Sequence, residues 1–288
     1  MKILVTGSNG QLGSELKVLS ASYPQYSFSF FDRLGWPVDD ESRSKELIEQ
    51  HQPDVIINAA AYTAVDKAEE ESEAADKING YAVGALAALC KQVGAKFIHV
   101  STDYVFDGNA TSPLTEDDKV QPLNTYGASK LLGEQLALQN NPDSIIVRTS
   151  WVYSSFGKNF VKTMMRLMKE RESISVVADQ IGSPTYAYDL AEAIIDIIQH
   201  PSWHPGIYNY SNEGVISWAD FAKEIGNQLG YACTVKAITT DQYPTPAKRP
   251  SYSVLDKAKI KKAYNIQLKD WMASLQQCFQ KLKEGPTS

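Results

Sequence analysis

A short apolar segment at 2–6 runs without a spacer into Gly7-Ser-Asn-Gly10-Gln-Leu-Gly13, and a helical pattern occupies 11–20. Few architectures accommodate that order. Glycine at 7 permits a tight turn, glycine at 10 lets the backbone approach a pyrophosphate, and glycine at 13 allows close packing of helix on strand. The helix offers its free N–H groups and positive dipole end to an anion. Strand, glycine triplet and helix in succession therefore predict a dinucleotide site at the start of the chain.

The pattern continues in the same sense. Apolar strands are predicted at 27–31, 55–59, 97–101 and 145–149, separated by helical stretches at 42–50, 74–93 and 126–138. Alternation of this kind specifies a doubly wound parallel sheet of the Rossmann type, an α/β fold with helices on both faces. Beyond 150 the pattern is less regular. Helices are expected at 159–170 and 188–199 and a short strand at 207–210. Ser217 with Asp220 forms a capping box for a helix that Gly230 closes, and Trp271, Leu275, Cys278 and Leu282 space a terminal amphipathic helix. The prolines from Tyr243 to Pro250 mark a loop. A chain of 288 residues is long for one domain. The expectation is a dinucleotide-binding domain over 1–150, with later returns of the chain, and a smaller α/β lobe mainly for substrate over 151–288.

A net charge of −6 argues against nucleic acid, which calls for a basic stripe. Three scattered cysteines, Cys90, Cys233 and Cys278, form neither a disulfide framework nor a zinc site and read as buried thiols. The acidic run Glu69, Glu70, Glu71 and Glu73 reads as a solvated helix start. No apolar stretch approaches the ~20 residues of a membrane span, and the chain opens on a strand rather than a leader. A cytoplasmic protein without a membrane partner is expected, as monomer or homodimer.

Two further clusters carry chemistry. The second strand ends at Asp32-Arg33: the carboxylate suits the adenosine ribose hydroxyls, the guanidinium a 2′-phosphate, so NADH and NADPH both stay open. Tyr126-Gly-Ala-Ser-Lys130 sets a phenol and an ammonium one helical turn apart. A nearby cation eases ionisation of a phenol, and the phenol can deliver a proton to a carbonyl oxygen as hydride arrives at carbon. Ser101-Thr102-Asp103-Tyr104 closes the fourth strand at the carboxyl edge where ligands meet such sheets, and Thr102 can orient that oxygen.

Glycine loop, strand-end threonine and Tyr-x-x-x-Lys, in this order, resemble the extended short-chain dehydrogenases. Longer stretches resemble their dTDP-4-dehydrorhamnose reductase branch: Asn58-Ala-Ala-Ala-Tyr-Thr-Ala-Val-Asp-Lys-Ala-Glu69, Ser101-Thr-Asp-Tyr-Val-Phe-Asp-Gly108, Pro122-Leu-Asn-Thr-Tyr-Gly127, Arg148-Thr-Ser-Trp-Val-Tyr153, Asn159-Phe160, Gly182-Ser-Pro-Thr185 and Tyr243-Pro-Thr-Pro-Ala-Lys-Arg-Pro250. The resemblance implies Thr102, Tyr126 and Lys130 as the catalytic set. It implies Gly7, Gly10, Gln11, Leu12 and Gly13 at the pyrophosphate, Asp39 and Asp40 at the adenosine end, and Ala59, Ala60, Ala61 and Thr63 along the cofactor cleft, with Tyr126 and Lys130 also touching the cofactor. Thr102, Asp103, Tyr104 and Trp151 would meet the sugar, and Asn159 and Arg249 the nucleotide. The implied activity is NADH- or NADPH-dependent reduction of the 4-keto group of dTDP-4-dehydro-L-rhamnose.

Some relatives of this branch are dimers bridged by a metal on acidic residues. Glu15 is present here, but Tyr186-Ala-Tyr-Asp189 is poor in acids, so no metal is expected. Sugar 4,6-dehydratases place a glutamate where this chain has Tyr104. A nucleotide-sugar epimerase that retains NAD, and a non-catalytic subunit resembling the regulatory subunit of methionine adenosyltransferase, are the competing readings.

Overall fold

The computed structural model describes residues 1–284; the last four residues of the expected lobe, 285–288, lie outside the described residues. Five strands come from the first 150 residues: β1 (Lys2–Thr6), β2 (Ser27–Phe31), β3 (Val55–Asn58), β4 (Lys96–Thr102) and β5 (Ile145–Thr149). A sixth, Gly206–Tyr210, adds to β5 in parallel, so the sheet order is Gly206–Tyr210, β5, β4, β3, β1, β2, with every pairing parallel. β3 is buried at all four residues, as a strand covered on both faces must be.

One face of the sheet packs on α1 (Gln11–Ser20) and the helix Ala187–Gln199, where Leu16 meets Ile194 and Ile198 in one apolar cluster. The opposite face carries α2 (Glu41–His51) and the helix Ala82–Val93, with Leu47, Leu86 and Phe97 in a second cluster. The helix Ala187–Gln199, the strand Gly206–Tyr210 and the helix Ala258–Tyr264, all beyond residue 150, thus belong to the sheet unit. The strand order reverses between β1 and β3, and at that point a crevice opens beyond the carboxyl ends of the strands.

Away from the sheet, the helices Phe160–Glu170, Trp218–Leu229 and Trp271–Glu284 share a separate core around Phe221, Ile225 and Leu275. The helix from Trp218 starts in the expected capping box, with Asp220 N–H on Ser217, and Gly230 ends it in the left-handed conformation. Cys90 and Cys278 are buried, while Cys233 is partly exposed.

Two sequence expectations change. The single helix predicted at 74–93 is three pieces: Ser72–Asp76, a π-helical turn Lys77–Tyr81, and Ala82–Val93. The wide turn carries the fully buried Asn79, which accepts from Tyr62 N–H (2.8 Å) and donates to Tyr62 O (3.0 Å) and Ser129 Oγ (3.0 Å). It ties the segment after β3 to the helix Thr125–Asn140, a tie that hydrophobic periodicity does not register. The acidic run is also more than a solvated face. Glu69 accepts from Thr125 N–H at 2.9 Å and its hydroxyl at 3.1 Å, at the N-terminus of the helix that carries Tyr126.

Candidate active site

The crevice encloses about 820 Å3 and collects residues from the carboxyl ends of β1, β2, β3, β4 and β5. At one end, Gly7 has φ +68°, and a Cβ there would meet the backbone of Ala59 and Ala60 at 2.7 Å. The loops after β1 and β3 therefore touch through the glycine. A Cβ on Gly13 would strike the carbonyl oxygen of Gly7, so the third glycine folds the helix onto its own loop. No side chain caps α1, which leaves its first-turn N–H groups for an anion. These features fit a pyrophosphate.

Asp32 sits at the rim. Its carboxylate accepts from Gly35 N–H (2.9 Å), Leu34 N–H (3.0 Å) and Asn9 Nδ2 (3.0 Å), which hold it below the usual carboxylate range. Arg33 beside it is exposed. Asp39 lines the crevice and pairs with Lys77 at 2.8 Å.

Thr102, Tyr126 and Lys130 meet at the centre. β4 ends at Thr102, whose hydroxyl donates to Asp103 Oδ1 at 3.0 Å and accepts from Tyr104 N–H at 3.2 Å. Asn124 caps the helix Thr125–Asn140, accepting from Gly127 N–H at 2.7 Å, and Tyr126 falls in the first turn. Tyr104 packs edge-on to Tyr126 with centroids 5.8 Å apart. Burial pushes the Tyr126 phenol up to about 12; the negative charge of Asp103 adds to this and the Thr102 contact opposes it. Burial likewise pushes the Asp103 carboxyl up to about 6.

Lys130 is itself brought down to about 7 by burial, against the pull of Glu134, and its Nζ donates to Val100 O at 2.6 Å rather than toward the phenol. Helical spacing places the two residues on one face. The low dielectric around them decides which is charged.

Across the crevice, Trp151 adopts a left-handed φ of +48° and lies flat on Trp218, ring centroids 3.6 Å apart. Trp218 was not singled out from the sequence, although the capping box placed it on the first turn of a helix. Lys158 and the buried Trp36 also line the crevice and were not foreseen. An isolated lysine and a tryptophan at a turn carry no spacing signal.

Four expected residues lie off the crevice wall. Gly13 is behind the loop that it supports. Asp40 is exposed and caps α2, accepting from Arg43 N–H at 2.9 Å. Asn159 does not present its amide to a nucleotide. Its Oδ1 accepts from Lys162 N–H (3.1 Å), and its Nδ2 donates to Gln11 Oε1 (2.9 Å) and Ser154 O (2.8 Å). Arg249 does not present its fork to a diphosphate here: Asp66 takes both ends, each at 2.8 Å. Sequence spacing says nothing of an internal carboxylate that can take the guanidinium fork.

Glu15 is buried and accepts from Ser154 Oγ at 2.5 Å, and burial raises its carboxyl. Among the described residues no three His, Cys, Asp or Glu side chains gather as a metal site, and no helix is long and apolar enough to cross a membrane.

Several known proteins share this layout along nearly the whole chain. The family described as RmlD substrate binding domain matches residues 1–284. A dTDP-4-dehydrorhamnose reductase from Aggregatibacter actinomycetemcomitans is 43% identical, covering 95% of this chain and 97% of its own. The spore coat polysaccharide biosynthesis protein SpsK of Bacillus subtilis is 41% identical, covering 97% of each chain. The crystal structure of dTDP-4-dehydrorhamnose reductase from Bacillus anthracis in complex with NADP superposes with a TM-score of 0.93 at 39% identity, over 97% of this chain and 98% of that one. The matches run through both the sheet unit and the lobe, and on that evidence the chain belongs to the dTDP-4-dehydrorhamnose reductase family.

Proposed function

We propose that this protein reduces the 4-keto group of dTDP-4-dehydro-L-rhamnose to give dTDP-L-rhamnose, with NADPH or NADH as reductant, in the cytoplasm. The observation that carries the reading is the meeting of the Tyr126 phenol and the Thr102 hydroxyl in the same crevice as an uncapped glycine loop. In this reading the sheet unit takes the cofactor and the lobe takes the nucleotide sugar.

Gly7, Gly10 and the first turn of α1 would hold the pyrophosphate, Asp32 and Arg33 the adenosine ribose, and Ala59–Ala61 the cleft wall toward the nicotinamide. The bound nicotinamide supplies hydride to sugar C4. Tyr126 gives its proton to the carbonyl oxygen. With the phenol near 12, that proton is in place at neutral pH. Thr102 donates to the same oxygen and fixes its direction. Trp151, backed by Trp218, faces the C–H surface of the ring. Tyr104, its phenol raised further by burial, is unsuited as the base a dehydratase requires at that position.

The test supplies dTDP-4-dehydro-L-rhamnose with 4-deuterated NADPH. Deuterium at sugar C4 with one cofactor oxidised per sugar supports the assignment. Copurification of stoichiometric NAD, with interconversion of hydroxy sugars and no net cofactor loss, replaces it with an epimerase.

A further inference from the structure

Most charged side chains on the crevice wall are already engaged. Asp32 accepts from two backbone N–H groups, Asp39 pairs with Lys77, Asp103 takes the Thr102 hydroxyl, and Lys130 Nζ donates to Val100 O. Two cations on the wall stay exposed, Arg33 and Lys158, and neither joins a salt bridge among the described residues. They come from different parts of the fold. Arg33 follows β2 at the adenosine end, whereas Lys158 lies in the lobe, in the turn between the strand Val152–Tyr153 and the helix Phe160–Glu170.

That turn is fastened to Gln11, the residue that opens α1. Gln11 Nε2 donates to Val152 O at 3.3 Å, and its Oε1 accepts from Asn159 Nδ2 at 2.9 Å. Gly157 has φ +64°, and a Cβ there would stand 3.2 Å from Gln11 Cγ, so the turn passes close over the start of the helix. Lys162 Nζ turns back on Gly157 O at 3.1 Å and spends its charge inside the turn. Lys158, between Gly157 and Asn159, is thereby held on both sides against the end of α1 that no side chain caps. Its ammonium makes no hydrogen bond to the described residues.

The glycine loop has no cation of its own: Gly7-Ser-Asn-Gly-Gln-Leu-Gly13 offers an anion only backbone N–H groups and the dipole end of α1, about half a charge. A pyrophosphate brings two negative charges. A lysine, a point charge on a flexible stem, is suited to meet them from the open side.

We propose that Lys158 is a cofactor-binding residue, its ammonium reaching from the lobe to the pyrophosphate held at α1. The proposal rests on the reading of the glycine loop given above. The dinucleotide is then gripped from both sides, by backbone of the sheet unit and by a charge of the lobe. NADH and NADPH share the pyrophosphate, so Lys158 strengthens both alike and leaves the choice between them to the adenosine end.

The experiment is calorimetric titration of the wild type and Lys158→Met with NADPH, NADH, ADP-ribose and dTDP. Methionine keeps the length of the side chain and removes its charge at an exposed position. NADPH, NADH and ADP-ribose should each weaken about tenfold, ~1.4 kcal/mol, with dTDP within about twofold of wild type. Lys158→Arg should restore most of the loss. Raising the salt concentration should weaken NADPH less in Lys158→Met than in the wild type, because one screened pair is gone. Weakening of NADPH alone would move the ammonium to the 2′-phosphate, and weakening of dTDP with the cofactors unchanged would move it to the nucleotide sugar. Either result overturns the proposal. Gly10→Val separates it from the reading on which it rests. If that variant, folded, binds NADPH as tightly as the wild type, the glycine-loop reading fails and the proposal with it. If Gly10→Val loses affinity while Lys158→Met keeps it, the proposal alone fails.

Discussion

Trp151 and Trp218 stack face to face, 3.6 Å between centroids and 11° from parallel, although they come from segments 67 residues apart (218 − 151). The stack braces a tryptophan whose left-handed backbone is uncommon for a bulky side chain. Removing the support in Trp218→Ala should loosen the aromatic wall and raise the KM for the nucleotide sugar roughly tenfold, the scale of ~1.4 kcal/mol. Calorimetric affinity for NADPH should stay within about twofold. Equal losses for both ligands would mean that the pair serves the lobe core rather than the sugar.

Tyr126→Phe removes the proton and little else from the centre of the crevice. The expected loss in kcat is roughly 10²-fold or more, the range for positioned general acids, with cofactor affinity retained. Turnover within a few-fold of wild type, in protein that melts normally, would take Tyr126 out of the proton-donor role.

Arg33 is exposed beside Asp32, whose carboxylate is already committed to two backbone N–H groups and Asn9. Its guanidinium is therefore the group free to meet a 2′-phosphate. Arg33→Ala should weaken NADPH about tenfold and leave NADH nearly unchanged, as losing one charge-assisted contact predicts. Parallel titrations with the two cofactors decide it, and equal weakening would point to a different phosphate contact.

Asp103 gives a pH signature. Its carboxyl is raised from 3.8 to about 6 by burial, so the native state binds this proton more tightly than the unfolded chain does. The resulting stabilisation is complete at low pH and lost as pH rises from about 4 to 6. Asp103→Asn cannot ionise. It should gain on the wild type by roughly 1–3 kcal/mol between pH 4.5 and 7.5, at ~1.4 kcal/mol per pKa unit. Denaturant titrations at those two values measure the gain. A difference that does not change with pH would place the raised carboxyl elsewhere.

What the chain's own pattern determined was local or periodic. Strand and helix periods, three spaced glycines and the Ser217–Asp220 capping box need only neighbouring residues, and they sufficed for a doubly wound parallel sheet with a nucleotide loop at its edge. Helical spacing likewise put Tyr126 and Lys130 on one face. Tertiary structure decided what depends on residues far apart in sequence. The sheet takes its sixth strand from Gly206–Tyr210, Arg249 is held by Asp66 across 183 positions (249 − 66), and Asn159 is spent on Gln11 and its own helix. It also decided charge. Whether Lys130 carries a proton depends on how far burial removes it from water and on the pull of Glu134. Desolvation is a property of the whole packed environment, and no spacing of residues along the chain encodes it.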